Sequence, residues 1–242
     1  MSSSLGTTMR MWEAQASTLR ERLRLVRYDH RGHGGSPVPS GPYEIGGLGR
    51  DVLALMDRVG LDRFSFCGLS LGGMVGMWLA SEVPERVERL VLCCTSAKMS
   101  PETWETRAQT VRERGVAGIS GAVVERWFTP SFFRDHPETV AWASRMLRDT
   151  PAEGYAGCCE AIRDLDLRER LGAIEAPTLI VAGAEDPATP PEHAEYLRDS
   201  IPGSRLTVVP GAAHLANVEQ PEELTRAVLE HLTPVADGRA GR

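Results

Sequence analysis

The chain has 242 residues, 42% of them apolar and 25% charged, the balance of an ordinary globular protein with room for one sizeable core. Thirty-three Asp and Glu against 27 Lys and Arg give a net charge of −6 with no basic stretch, which argues against nucleic acid and anionic membrane as partners. The five cysteines (67, 93, 94, 158 and 159) are odd in number and lack C-x-x-C spacing, which excludes a secreted disulfide framework and a cysteine zinc site. They are expected to be small buried residues of a reduced compartment. The first twelve residues lack the apolar stretch of a leader, and no apolar run is long enough to span a membrane, so the expected location is cytoplasmic.

Strands and helices alternate along the chain. Residues 23–28 (LRLVRY) form an apolar run predicted as the first strand, followed by the loop DHRGHGGSP. Residues 45–59 place Leu48, Val52, Leu55, Met56 and Val59 at helical spacing before Gly60. A buried strand is predicted over 64–67, a helix over 71–83 ending at Pro84, and a third strand over 87–93. A fourth strand over 177–182 precedes a helix at 190–200; a fifth over 206–209 precedes the last helix at 221–232. Short continuous apolar strands separated by amphipathic helices predict an α/β fold, a mostly parallel sheet with helices on both faces. Between the third and fourth strands, residues 97–172 carry no strand signal. They hold Trp104, Trp127, Phe128, Phe132, Phe133, Trp142 and Tyr155 on helical patterns. That predicts a helical cap insertion between core segments 1–96 and 173–234, with a polar tail over 235–242.

The strongest local signal is Gly68-Leu-Ser70-Leu-Gly72, a G-x-S-x-G set directly after a strand and directly before a helix. A sharp turn of this kind lifts the central hydroxyl above the sheet and needs flanking positions without bulk. Ser70 is therefore the candidate nucleophile, and the N–H of Leu71 at the helix start a candidate oxyanion donor. A dinucleotide fingerprint fails, because Ser70 occupies its second glycine position.

A serine hydroxyl needs a base, and the base an orienting acid, which follow in the order Ser, acid, His in such a fold. The loop Gly183-Ala-Glu185-Asp186-Pro-Ala-Thr-Pro190 closes the fourth strand and Pro210-Gly-Ala-Ala-His214 the fifth, both at the carboxyl edge where α/β sheets bind ligands. Asp186 is preferred over Glu185 as the acid that a tight loop presents. His214 is the base. Asp164 and Asp166 fall in the helical insertion and are predicted as surface charges. His30 and His33 with Asp29 invite a metal reading, but the glycines around them favour a turn tied by side chain to backbone bonds, and no metal site is predicted.

The set D-x-R-G-H-G-x-S, G-L-S-x-G-G-M, G-x-x-D-x-x-T-P-P and A-H-L-x-N-x-E-Q-P resembles the bacterial 3-oxoadipate enol-lactonases, an α/β-hydrolase family. Ser-Leu-Gly-Thr-Thr at 4–8 and Gly-Tyr-Ala-Gly-Cys-Cys at 154–159 bring it closer to that group than to general esterases. The resemblance covers residues 3–233 and implies a Ser70, Asp186, His214 triad. It also implies Leu5 as a second oxyanion donor, no cofactor, and a small lactone with a carboxylate arm as substrate. Arg163 and Arg126 are the candidate partners of that arm and Trp127 a candidate pocket wall. In the family a hairpin and a central strand precede the segment matching 3–6, whereas Met1 stands here where that strand should end. The expectation is a start upstream of Met1, a gap in the sheet and a fraying Leu5. Oligomeric state is not legible.

Overall fold

A computed structural model of the chain describes residues 1–233. Its sheet has four parallel strands in sequential order: β1 (Phe64–Leu69), β2 (Val87–Cys93), β3 (Thr178–Gly183) and β4 (Arg205–Val209). All six residues of β3 are buried. Because alternate strand residues face opposite sides, both faces of the sheet must be covered there. The tail expected at 235–242 lies outside the described residues.

The helices are α1 (Glu13–Leu19), α2 (Ile45–Arg58), α3 (Leu71–Glu82), α4 (Pro101–Arg114), α5 (Ser120–Val124), α6 (Pro130–Asp135), α7 (Pro137–Arg148), α8 (Ala152–Arg163), α9 (Pro191–Ser200), α10 (Ala216–Glu219) and α11 (Pro221–Leu232). Helix α3 packs on β1 and β2 and also against α2, which explains why it is apolar all round rather than striped. Helices α9 and α11 cover β3 and β4. None of the helices among the described residues is long and apolar enough to cross a membrane.

Helices α4 to α8 form one excursion between β2 and β3, with α4 and α8 packed on each other. The excursion leaves and rejoins the sheet at one place. Lys98 pairs with Asp166 in an isolated antiparallel bridge, and Leu167 N–H donates to the Ala97 carbonyl at 3.0 Å.

The strand predicted over residues 23–28 does not form: the segment packs on the core without joining the ladder. A strand needs a backbone edge to pair with. Among the described residues, Met1 and Ser2 lie between this segment and β1. The Met1 ammonium donates to the Val26 carbonyl at 2.6 Å, and Ser2 N–H donates to the Cys67 carbonyl at 2.9 Å on the other side. An apolar groove of about 230 Å³ beside Met1 is lined by Leu23, Val26, Val52, Met56, Phe64 and Phe66. The fraying expected of Leu5 is absent. Ser2, Ser3, Ser4, Leu5 and Thr7 are buried; Ser2 bridges Gly68, and Leu69 N–H donates back to the Ser2 carbonyl at 3.1 Å.

All five cysteines are free and buried. Burial pushes the thiols of Cys94, Cys158 and Cys159 up, and the Cys67 contact first and burial second do so for Cys93, as suits inert packing residues.

Candidate active site

Ser70 sits between β1 and α3 at φ 55° and ψ −115°, a left-handed conformation that a non-glycine residue holds only at a cost. Its neighbours explain how the turn is kept. A Cβ on Gly68 would lie 2.2 Å from the Gly72 carbonyl oxygen, and a Cβ on Gly72 would lie 2.4 Å from the Ser2 carbonyl oxygen. Ser70 N–H donates to Cys93 O at 2.9 Å, and the Thr95 hydroxyl donates to Ser70 O at 2.7 Å. Both backbone groups of Ser70 are thus committed, while its hydroxyl has no hydrogen-bond partner among the described residues and lines a cavity with His214.

The loops after β3 and β4 bring acid and imidazole together. His214 Nδ1 lies 2.9 Å from Asp186 Oδ2, and both side chains are buried. Asp186 is held on every side. Its Oδ1 accepts the N–H of Ala188 at 2.8 Å and of Thr189 at 3.1 Å, and its Oδ2 accepts the Thr189 hydroxyl at 2.7 Å. Burial alone would raise this carboxyl. The charge and hydrogen bond of His214, with the Thr189 bonds, outweigh it and hold Asp186 below the usual carboxylate range. An ionised carboxylate can only accept, so Nδ1 keeps its proton in either charge state of the ring, and Nε2 is the nitrogen that exchanges one. Glu185, the competing acid, is exposed.

Two backbone N–H groups complete this corner. Leu71 is the first residue of α3 and has no acceptor within the helix. Leu5 lies in the same cavity as Ser70, and neither its N–H nor that of Leu71 has an acceptor among the described residues. The segment carrying Leu5 is pinned on both sides: Gly72 N–H donates to Ser3 O at 3.1 Å and Gly6 N–H to His33 Nε2 at 2.9 Å. His30 Nε2 lies 3.2 Å from Ser3 O and 3.1 Å from Ser2 Oγ. The two histidines of the DHRGHGG loop therefore serve the segment 2–6. Burial lowers His30 to about 3 and His33 to about 4, so both rings are neutral.

The helical excursion roofs the cavity. Met99, Thr103, Trp104, Arg107, Val123, Arg126, Trp127 and Tyr155 face Ser70 and His214 across it. The space is small, about 70 Å³. Arg126 and Trp127 both line the cavity. Arg163 does not line it: its guanidinium is committed to Glu105 and Asp164. Asp164 and Asp166 are surface charges, the latter paired with Lys98 and Arg168.

The sequence did not single out Arg107, and named Trp104 only as one aromatic residue of the insertion. They lie one helical turn apart on α4, where only the burial of that face marks them. The Arg107 guanidinium stacks over the Trp104 ring, 4.5 Å from its centre. Neither Arg107 nor Arg126 has a carboxylate partner among the described residues. Burial first, and the Arg107 charge second, hold Arg126 below the usual guanidinium value. The Trp104 indole N–H is buried without an acceptor.

Residues 3–221 match the family described as alpha/beta hydrolase fold. The chain is 43% identical to 3-oxoadipate enol-lactonase 2 of Acinetobacter baylyi over 94% of its own length and 85% of that protein's. It is 37% identical to 3-oxoadipate enol-lactonase 1 of the same organism over 92% and 83%. Among solved structures, the enol-lactonase of Burkholderia xenovorans superposes with a TM-score of 0.94 at 40% identity, covering 96% of this chain and 89% of that one.

Proposed function

The chain belongs to the α/β-hydrolase fold family, among the 3-oxoadipate enol-lactonases, and from that premise we propose that Ser70 is the nucleophile, His214 its base and Asp186 the orienting acid of an ester hydrolase that opens 3-oxoadipate enol-lactone. Ser70 Oγ attacks the ring carbonyl while His214 Nε2 takes its proton. The N–H groups of Leu71 and Leu5 receive the oxyanion, each such donor typically adding about 10²–10³ in rate. Collapse expels the ring oxygen as an enolate, a good leaving group, which takes the proton from His214 to become the enol and leaves Nε2 free again. Because the broken bond lies within a ring, the whole substrate stays on Ser70 as one acyl chain. Water deprotonated by His214 then attacks the acyl carbon, the proton passes to Ser70 Oγ as that bond breaks, and the enol becomes the ketone of 3-oxoadipate.

The observation that carries the substrate assignment is the electrostatics of the roof. Two partly buried guanidinium groups share one small cavity without a carboxylate, and an indole N–H beside them lacks an acceptor. Like charges held together in a desolvated space favour an anionic guest. The carboxylate arm of the lactone supplies it, with Arg107 and Arg126 as its partners and the Trp104 N–H as a further donor. The helical segment 97–172 then acts as a cap that reads the arm, while the sheet loops perform the chemistry. No residue of this scheme calls for a cofactor.

The test compares the lactone with a neutral aryl ester. The reading expects a kcat/KM for the lactone well above that for p-nitrophenyl acetate, and an R107A/R126A double variant that erases most of this preference while still turning over the aryl ester. Equal losses on both substrates would remove the arginines as carboxylate partners.

A further inference from the structure

Glu219, at the end of α10, is buried and faces no cation among the described residues. Its carboxylate is filled by three donors from two different places. Oε2 accepts the N–H of Ala213 at 2.9 Å; Oε1 accepts the N–H of Thr129 at 3.0 Å and also the Thr129 hydroxyl. Ala213 immediately precedes His214. Thr129 follows Arg126 and Trp127, which line the cavity, and starts α6 by accepting Phe132 N–H at 3.3 Å. A second tie runs alongside: Leu215 N–H, just after His214, donates to the Trp127 carbonyl at 2.9 Å. Both neighbours of the imidazole are therefore anchored to residues 127–129, one directly and one through Glu219.

All three groups that meet Glu219 donate protons, so the site needs acceptors only. A carboxylate provides them; an isosteric amide would turn an NH₂ against at least one N–H. Loss of acceptors at a buried cluster of donors is costly because the donors have no water to turn to.

We propose that Glu219 is a positioning residue that couples the helical segment reading the substrate to the imidazole that performs the proton transfer. It holds the His214 loop and the turn at 127–129 as one unit, so the seat of the substrate arm at Arg126 and the aim of His214 are set together. The proposal rests on His214 being the base.

The test uses E219Q, E219D, T129V and H214A beside the unmodified protein. For each, kcat and KM are measured on 3-oxoadipate enol-lactone and p-nitrophenyl acetate, with circular dichroism reporting the fold. E219Q lowers kcat on both substrates by roughly tenfold or more and raises KM for the lactone alone. E219D keeps the charge and recovers part of the lost kcat. T129V removes one donor on the roof side, raising the lactone KM while aryl ester kcat stays within about twofold. A folded E219Q with constants within about twofold of the unmodified protein overturns the coupling, as does a kcat loss without the selective rise in lactone KM. Should E219Q not fold, an unchanged lactone KM in T129V overturns it. H214A separates the two readings. Activity retained there removes His214 as base; activity lost there beside a normal E219Q removes only the coupling.

Discussion

The Thr189 hydroxyl donates to Asp186 Oδ2 at 2.7 Å, the same oxygen that His214 Nδ1 reaches at 2.9 Å, and it lies 3.4 Å from that ring nitrogen. One hydroxyl therefore touches both partners of the acid–imidazole pair. It helps keep Asp186 ionised despite burial.

Replacing Thr189 with Val keeps the shape and removes the donor. Asp186 then loses one of the contacts that lower it, so it takes up a proton at higher pH. The acid limb of the rate profile moves upward, and kcat at neutral pH falls by roughly 3- to 10-fold, while T189S stays close to the unmodified protein. Rate profiles from pH 4 to 8 check this; superimposable profiles for T189V and the unmodified protein would contradict it.

The roof arginines give a prediction on binding rather than chemistry. Neutralising a buried charged partner of a carboxylate costs about 1.5–3 kcal/mol, or roughly 10- to 150-fold in kcat/KM for the lactone. R107A and R126A should each show it mainly as a higher KM, whereas R163A should change little, because Arg163 is paired with Glu105 and Asp164 away from the cavity. Steady-state kinetics on the three variants decide. An R163A loss as large as that of R126A would refute the placement.

Acid stability follows from His30 and His33. Both are neutral in the folded chain, with pKa values near 3 and 4, whereas an unfolded histidine titrates near 6.5. Between those limits the unfolded chain binds protons that the folded chain refuses, so stability rises with pH through this window. The urea midpoint should be level above about pH 7 and fall as pH drops from about 6.5 toward 4. In His33→Gln the amide oxygen can still accept Gly6 N–H, and the slope over that window should be shallower. An unchanged slope would show that this ring does not carry its share.

Gly72→Ala tests the elbow. The added methyl would meet the Ser2 carbonyl at 2.4 Å, and neither backbone can yield without moving Leu5 or Ser70. Thermal melts should report a loss of about 1–3 kcal/mol, and kcat should fall more than KM rises. A variant with normal stability and activity would mean that the segment 2–5 is not held against the helix as described.

Much of this was legible in the chain because the decisive signals are local. G-x-S-x-G needs small residues where the turn folds on itself, and the acid and imidazole loops each follow their own strand. The pairing of residues 23–28 was not legible, because an apolar run states only a wish for burial; a ladder also needs a strand edge to pair with, and among the described residues this segment meets Met1 through the Val26 carbonyl. Arg163 was misplaced for a related reason. A helix exposes arginines on several faces, and the sequence does not say which face looks at Ser70. Arg107 was overlooked for the same cause, and Glu219 because its donors come from segments 90 and 6 residues away along the chain.

The central claim is that the Ser70 oxygen is the nucleophile, and active-site labelling tests it most directly. The protein is treated with a fluorophosphonate, activity is followed, and the adduct is located by peptide mass spectrometry. The account predicts one adduct per chain, on Ser70, with activity lost in proportion and no labelling of H214A at a comparable rate. Full activity after complete reaction, or an adduct that maps elsewhere while Ser70 stays unmodified, would contradict it.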